Sequence, residues 1–267
     1  MSSHEDGFMR KKRAKVLLFF YICKKFGIFL HFLAKICVIR KKNVPLHKNF
    51  STHMKLIAPS VLSADFGHLA DDLQMINRSE ADWLHVDVMD GTFVPNISFG
   101  FPLMEPMRKY CTKPLDVHLM IVHPEKYVER FCDAGAWSVG FHLEAVDDPL
   151  PILDQIKAKG VRTCLTINPD IDVKRLVPYL DKVDMILLMS VFAGFGGQKF
   201  IPETMDKIRF IKSEIDRRGL STLIEIDGGV NTQNAAELFA EGADVLVAGS
   251  AVFGAPDPEQ AIREMKA

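Results

Sequence analysis

The chain is poor in the features that announce several common protein classes. Its five cysteines, Cys23, Cys37, Cys111, Cys132 and Cys164, form no C-x-x-C pair. Their odd number offers no disulfide framework, so reduced thiols of a cytoplasmic protein are expected. An uninterrupted apolar run of about 20 residues, the length that crosses a bilayer, is missing. The stretch 16–39 is rich in Leu, Phe and Ile, but Lys24, Lys25 and Lys35 break it. Each lysine near the middle of a span costs about 2.5–3.5 kcal/mol, which argues against a membrane helix. A small-residue cleavage site after this stretch is also lacking, which argues against a secretory signal.

Net charge is nearly absent, at −1, but the balance is uneven. Residues 1–53 hold 12 of the 33 basic residues and only two acids, Glu5 and Asp6, a surplus of ten positive charges. The remainder holds 21 bases against 32 acids, an excess of eleven negative charges. Such an acidic body is a poor nucleic-acid binder, because phosphate contacts need clustered Lys and Arg. Residues 1–53 are therefore read as a separate basic extension: a leader, an organellar transit peptide or an amphipathic surface segment. Met54 opens MKLIAP, a natural start for a first strand, and residues 54–267 are read as one domain.

What is present is a regular alternation. Short apolar runs of β character fall at 56–62, 83–90, 115–121, 137–144, 162–168, 185–191, 222–227 and 245–249. Amphipathic helical stretches such as 67–78, 125–133, 151–159 and 205–218 lie between them. Strands alternating with helices indicate a parallel sheet. Eight such units predict a closed (β/α)8 TIM barrel. An open doubly wound sheet would usually carry a glycine-rich dinucleotide loop after its first strand, and none follows Leu62.

In such a barrel, chemistry gathers at the carboxyl ends of the strands. Side chains alternate along a strand, so His85, Asp87 and Met89 share one face while Leu84, Val86 and Val88 take the other. The next strand repeats the pattern with His118 and Met120. Strand seven ends in Asp227, and strand one carries Ser60. Burying imidazoles and carboxylates inward without partners would cost several kcal/mol, so this parity needs a reason. Two imidazoles and two carboxylates suit a divalent ion, Zn²⁺, Fe²⁺, Mn²⁺ or Co²⁺. Met89, Met120 and Met189 fit either core filler or the dry wall of a pocket beside a metal. Glycine-rich turns follow strands six, seven and eight, at 193–198, 228–229 and 249. Glycine lets the backbone approach an anion closely, so three such loops side by side point to a phosphate-bearing substrate.

These segments resemble the ribulose-phosphate 3-epimerase family. The likeness runs from about residue 55 to the end, through APSVLSAD (58–65), LHVDVMDGTFVPNISF (84–99), LDVHLM (115–120), GFGGQKF (194–200), IDGGV (226–230) and GSA (249–251). The resemblance implies an isomerase of the pentose phosphate pathway that interconverts ribulose 5-phosphate and xylulose 5-phosphate through a metal-stabilised ene-diolate. It implies His85, Asp87, His118 and Asp227 as metal ligands, with Asp87 and Asp227 as the acid–base pair. It places Ser60, His118, Gly194, Phe195, Gly196, Gly197, Gly228, Gly229, Gly249 and Ser250 against the sugar phosphate. A homo-oligomeric, cytoplasmic enzyme without nucleic-acid or membrane partners is expected. The same residues would serve an epimerase for another ketose phosphate, such as allulose 6-phosphate. A non-catalytic sugar-phosphate binder would have no chemical use for all four polar ligands. A lyase or decarboxylase commonly needs a lysine at a strand end, and none stands near the constellation. One departure is visible: the family usually has a proline before GFGG, and here stand Phe192 and Ala193. Proline fixes φ, so alanine is expected to loosen that loop.

Overall fold

In the computed structural model, residues 54–267 are described, and the readings made for residues 1–53 lie outside them. Eight strands form one parallel sheet: β1 (Leu56–Pro59), β2 (Leu84–Met89), β3 (Leu115–Met120), β4 (Ser138–His142), β5 (Arg162–Ile167), β6 (Met185–Met189), β7 (Leu223–Asp227) and β8 (Val245–Ala248). Each strand pairs with its sequence neighbour, β8 returns to β1, and a parallel bridge between Ser60 and His85 joins the first strand to the second. The predicted (β/α)8 barrel is thus observed. Every predicted strand is present but runs one to three residues shorter. Residues trimmed from the carboxyl ends fall in the turns at the barrel mouth, where Val61–Ser63 and Leu143–Ala145 are short 3-10 turns.

The helices are α1 (Leu69–Arg78), α2 (Phe101–Tyr110), α3 (Val128–Asp133), α4 (Leu150–Ala158), α5 (Thr204–Arg218) and α6 (Ala235–Ala240) between strands, and α7 (Ser250–Phe253) and α8 (Pro258–Lys266) after the last one. After β5 the chain forms a 3-10 segment instead, Val173–Tyr179, with Pro178 inside it removing one backbone donor. In α5, Ile208, Ile211 and Ile215 recur at helical spacing and are buried, and Gly219 ends the helix in the left-handed region.

Strand alternation sorts the core into two. Leu84, Val86, Val88, Val117, Leu119, Ile186, Ile224 and Ile226 point outward and are buried under the helices. Inside the barrel, Ala58, Cys164, Met185, Leu187, Met189, Val245 and Val247 form an apolar wall. The opposite interior wall is polar, with His85, Asp87, Asp116, His118, Ser138 and His142 all buried. At the amino ends of the strands, Trp83 and Trp137 pack at 4.5 Å and the Arg162 guanidinium caps Trp137 at 4.3 Å. Among the described residues Cys111, Cys132 and Cys164 are buried and unpaired.

Candidate active site

The polar wall rises to the carboxyl ends of β2, β3 and β7. Register places Asp87 beside His118, and Asp227 beside Met189 on one side and Val247 on the other. His85 Nε2 lies 3.2 Å from Asp87 Oδ1 and 3.9 Å from Asp227 Oδ2. His118 Nδ1 lies 3.1 Å from the same Asp87 oxygen and 3.8 Å from the same Asp227 oxygen. One ligand atom from each of the four side chains falls within 4.8 Å of all the others. A tetrahedral ion with bonds of about 2.1 Å separates its ligand atoms by about 3.4 Å. These spacings bracket that value. His85 Nε2 is moreover fully buried without a hydrogen-bond partner, which marks a donor atom aimed at something other than protein. The set therefore fits a divalent cation.

Neighbouring groups aim the rings. His85 Nδ1 is 2.7 Å from Asp116 Oδ2, and Ser138 Oγ donates to the other Asp116 oxygen. His118 Nε2 is 2.9 Å from His142 Nε2, and His142 Nδ1 is 2.9 Å from Glu144 Oε1. Ser60 Oγ donates to Asp87 Oδ2 at 2.5 Å. Asp116, His142, Glu144 and Glu225 were not singled out from the sequence. The signal was there: residues 116 and 225 precede His118 and Asp227 by two, on the same strand face.

The charges are not equivalent. Burial pushes the Asp87 carboxyl up, but the adjoining His85 charge and the close approach of both imidazoles outweigh it and hold it far below the usual range. Burial pushes Asp227 up, the Asp87 charge adds to this, and the result is about 7. Glu225, buried and next to Asp116, is raised well above the usual range, and both its oxygens lack partners. Burial lowers His142 to about 4, against the pull of Glu144. Without a cation, the cluster thus carries more acid than it can ionise, and positive charge between Asp87 and Asp227 relieves that.

Above the cluster opens a cleft lined by Ser60, Asp87, Asp227, Met89, Met120 and Met189. The 194–198 loop, Gly228, Gly229, Gly249 and Ser250 complete its rim. The cleft thus gathers the predicted positions, except that His85 and His118 sit buried beneath it. Met89 and Met120 pack with Val94, and Met189 joins the apolar wall. Gly228 and Gly229 have φ of 119° and 66°. A Cβ on Gly229 would stand 2.3 Å from the Phe200 backbone nitrogen, so only glycine fits this turn. Ala193 does not hang free: its N–H donates to Asn168 Oδ1 at 3.0 Å, a bond that proline lacks the hydrogen to make.

A parallel barrel with a His–Asp cluster that could hold a metal ion and a glycine-rimmed cleft at its carboxyl mouth fits a class, the metal-dependent TIM-barrel enzymes. Residues 56–253 match the ribulose-phosphate 3-epimerase family, and the chain belongs to it. Ribulose-phosphate 3-epimerase of Synechocystis is 46% identical over 209 residues, covering 78% of this chain and 91% of that protein. The Escherichia coli K12 enzyme of the same name is 45% identical over 212 residues, covering 79% and 94%. That of Mycobacterium tuberculosis H37Rv is 43% identical over 216 residues, covering 81% and 93%. Among solved structures, 3-hexulose-6-phosphate synthase superposes with a TM-score of 0.57 at 18% identity, covering 80% of this chain and 98% of that one. A mutant tryptophan synthase alpha-subunit from Pyrococcus furiosus gives 0.56 at 16%, covering 79% and 95%. These two likenesses show the barrel alone. The family is metal-dependent, and the His–Asp cluster is a site that could hold the ion. No helix among the described residues is long and apolar enough to cross a membrane.

Proposed function

We propose that residues 54–267 form an epimerase domain that interconverts D-ribulose 5-phosphate and D-xylulose 5-phosphate by inverting C3. The observation that carries this reading is the meeting of Asp87 and Asp227, from β2 and β7, around one ion-sized space with His85 and His118. Inverting C3 removes its proton from one face and returns a proton to the other. Negative charge develops on the C2 and C3 oxygens as the planar ene-diolate forms. A divalent cation held by His85, Asp87, His118 and Asp227 supplies the Lewis acidity that stabilises such charge by several kcal/mol.

The chain's own groups do the rest. One aspartate takes the C3 proton on a carboxylate oxygen and the other delivers a proton to the opposite face, and the roles exchange in the reverse direction. Ser60 orients Asp87 through Oδ2. Met89, Met120 and Met189 line the cleft with apolar surface and keep water from the reacting carbon. Backbone N–H groups of the Gly194–Gly197 turn, Gly228, Gly229, Gly249 and Ser250 hold the phosphate. The reading is tested with the full chain, ribulose 5-phosphate and D₂O. Xylulose 5-phosphate carrying one solvent deuteron at C3 is the expected product. Allulose 6-phosphate assayed in parallel fixes the sugar preference. Absence of exchange at C3 in metal-loaded protein would refute the assignment.

A further inference from the structure

We propose that His142, Glu144 and Asn168 form a positioning strut that turns the Nδ1 lone pair of His118 toward the metal centre and ties it to the loop over the cleft. This rests on the metal-site reading above, but concerns residues outside the ligand set.

The direction of each hydrogen bond follows from what each atom is able to do. Glu144 Oε1 faces three nitrogens: Asn168 N at 2.9 Å, Asn168 Nδ2 at 2.8 Å and His142 Nδ1 at 2.9 Å. A carboxylate oxygen only accepts, so His142 Nδ1 carries a hydrogen. A neutral ring then has its lone pair on Nε2. That atom is 2.9 Å from His118 Nε2, so the hydrogen between the two rings belongs to His118. With Nε2 committed as donor, His118 has only Nδ1 left to offer, and Nδ1 faces Asp87 and Asp227.

His142 is completely buried, and the Phe93 ring lies against it at 4.7 Å. At its far end, Asn168 Oδ1 accepts the Ala193 N–H at 3.0 Å, where the glycine-rich turn begins. His85 is served differently, by a carboxylate in direct contact, whereas His118 reaches its carboxylate through a second imidazole.

The test uses the full-length protein with Co²⁺ as the probe. Affinity is read by competition with a chromophoric chelator, and loop anchoring by amide hydrogen exchange at Ala193 in cation-free protein. Glu144→Ala is expected to weaken Co²⁺ binding by about 10–100-fold, the usual cost of losing a group that supports a metal-bound histidine. It is also expected to speed exchange at Ala193. Glu144→Gln keeps an oxygen for His142 Nδ1–H and is expected to retain most of the affinity. Thr166→Val changes the β5 neighbour of His142, whose buried hydroxyl has no partner, and is expected to leave Co²⁺ binding unchanged. If Glu144→Ala does not fold, the half-buried Asn168→Ala takes its place, with the same faster exchange and a smaller loss of Co²⁺. Wild-type affinity in a folded Glu144→Ala protein, or an equal loss in Thr166→Val, would overturn the strut alone. Failure of the wild-type protein to bind Co²⁺ would overturn the metal site itself and the strut with it.

Discussion

Asp87 and His118 are register partners on β2 and β3, and Asp87 Oδ1 lies 3.1 Å from His118 Nδ1. Strand pairing alone sets this contact, since neighbours in a parallel sheet stand side by side. A slip of one residue in either strand would turn its side chain to the helix layer and bring Val88 or Leu119 into the barrel. The His–Asp cluster is therefore a consequence of sheet register, with Asp227 added from β7 across the interior.

Asp87→Asn and Asp227→Asn each remove a proposed proton carrier with little change in volume. Turnover is expected to fall by about 10²–10⁴-fold or more, the range for losing a positioned acid or base. Both variants are expected to stay folded, as read by circular dichroism. Near-normal turnover in either would sink the two-carboxylate assignment.

Asp116 is the partner of His85 Nδ1. Asp116→Ala removes the only carboxylate within hydrogen-bonding distance of that nitrogen, leaves Glu225 Oε1 at 3.6 Å, and frees the ring to rotate. Divalent metal affinity is expected to drop by about 10–100-fold. Titration of metal-stripped variant and parent with Co²⁺ decides it, and equal affinities would show that Asp116 does not orient His85.

Removing the cation makes stability depend on pH in a defined sense. Asp227, raised to about 7 by burial and by Asp87, holds a proton in the folded state that the unfolded chain releases near the ordinary carboxyl value of 3.8. A folded-state pKa above the unfolded one adds stability below the unfolded value and loses it as pH rises through the folded value. His85 acts in the same sense: burial opposes its charge, but Asp87 and Asp116 raise its pKa well above the usual range. Chelated protein is thus expected to melt at lower temperature at pH 8 than at pH 6, and added divalent ion to remove most of the difference. Thermal melts at the two pH values, with and without ion, provide the check. A higher melting temperature at pH 8 in chelated protein would contradict the charge picture.

Gly229→Ala places a methyl against the Phe200 backbone at a φ of 66°. The turn has to shift, at a cost on the order of 1–3 kcal/mol for a strained backbone position. KM for the sugar phosphate is expected to rise more than kcat falls, because the proposed role of this turn is to hold phosphate and not the reacting carbon. A change confined to kcat would move Gly229 out of the phosphate grip.

Much of the site was legible because its residues obey a local rule. His85, Asp87 and Met89, and again His118 and Met120, alternate with apolar neighbours, so the polar face was visible before any fold. Asp116, Glu225 and His142 follow the same alternation, yet each looks like an ordinary buried polar residue until its partner is known. The Ala193 bond to Asn168 was invisible for another reason. Its two ends belong to different units, and the substitution for proline suggested only lost stiffness, not a gained donor.

By itself the sequence determined the period-two and helical patterns, hence the eight alternating units, the inward parity of the ligands and the glycines where only glycine is tolerated. These are properties of chain segments a few residues long, governed by backbone geometry and solvent preference. Only the tertiary structure decided which inward groups meet, how far apart they lie and which way each hydrogen points along His118, His142 and Glu144. Those depend on sheet closure and strand register, which bring residues of distant segments to within hydrogen-bonding distance, and no local pattern encodes that distance.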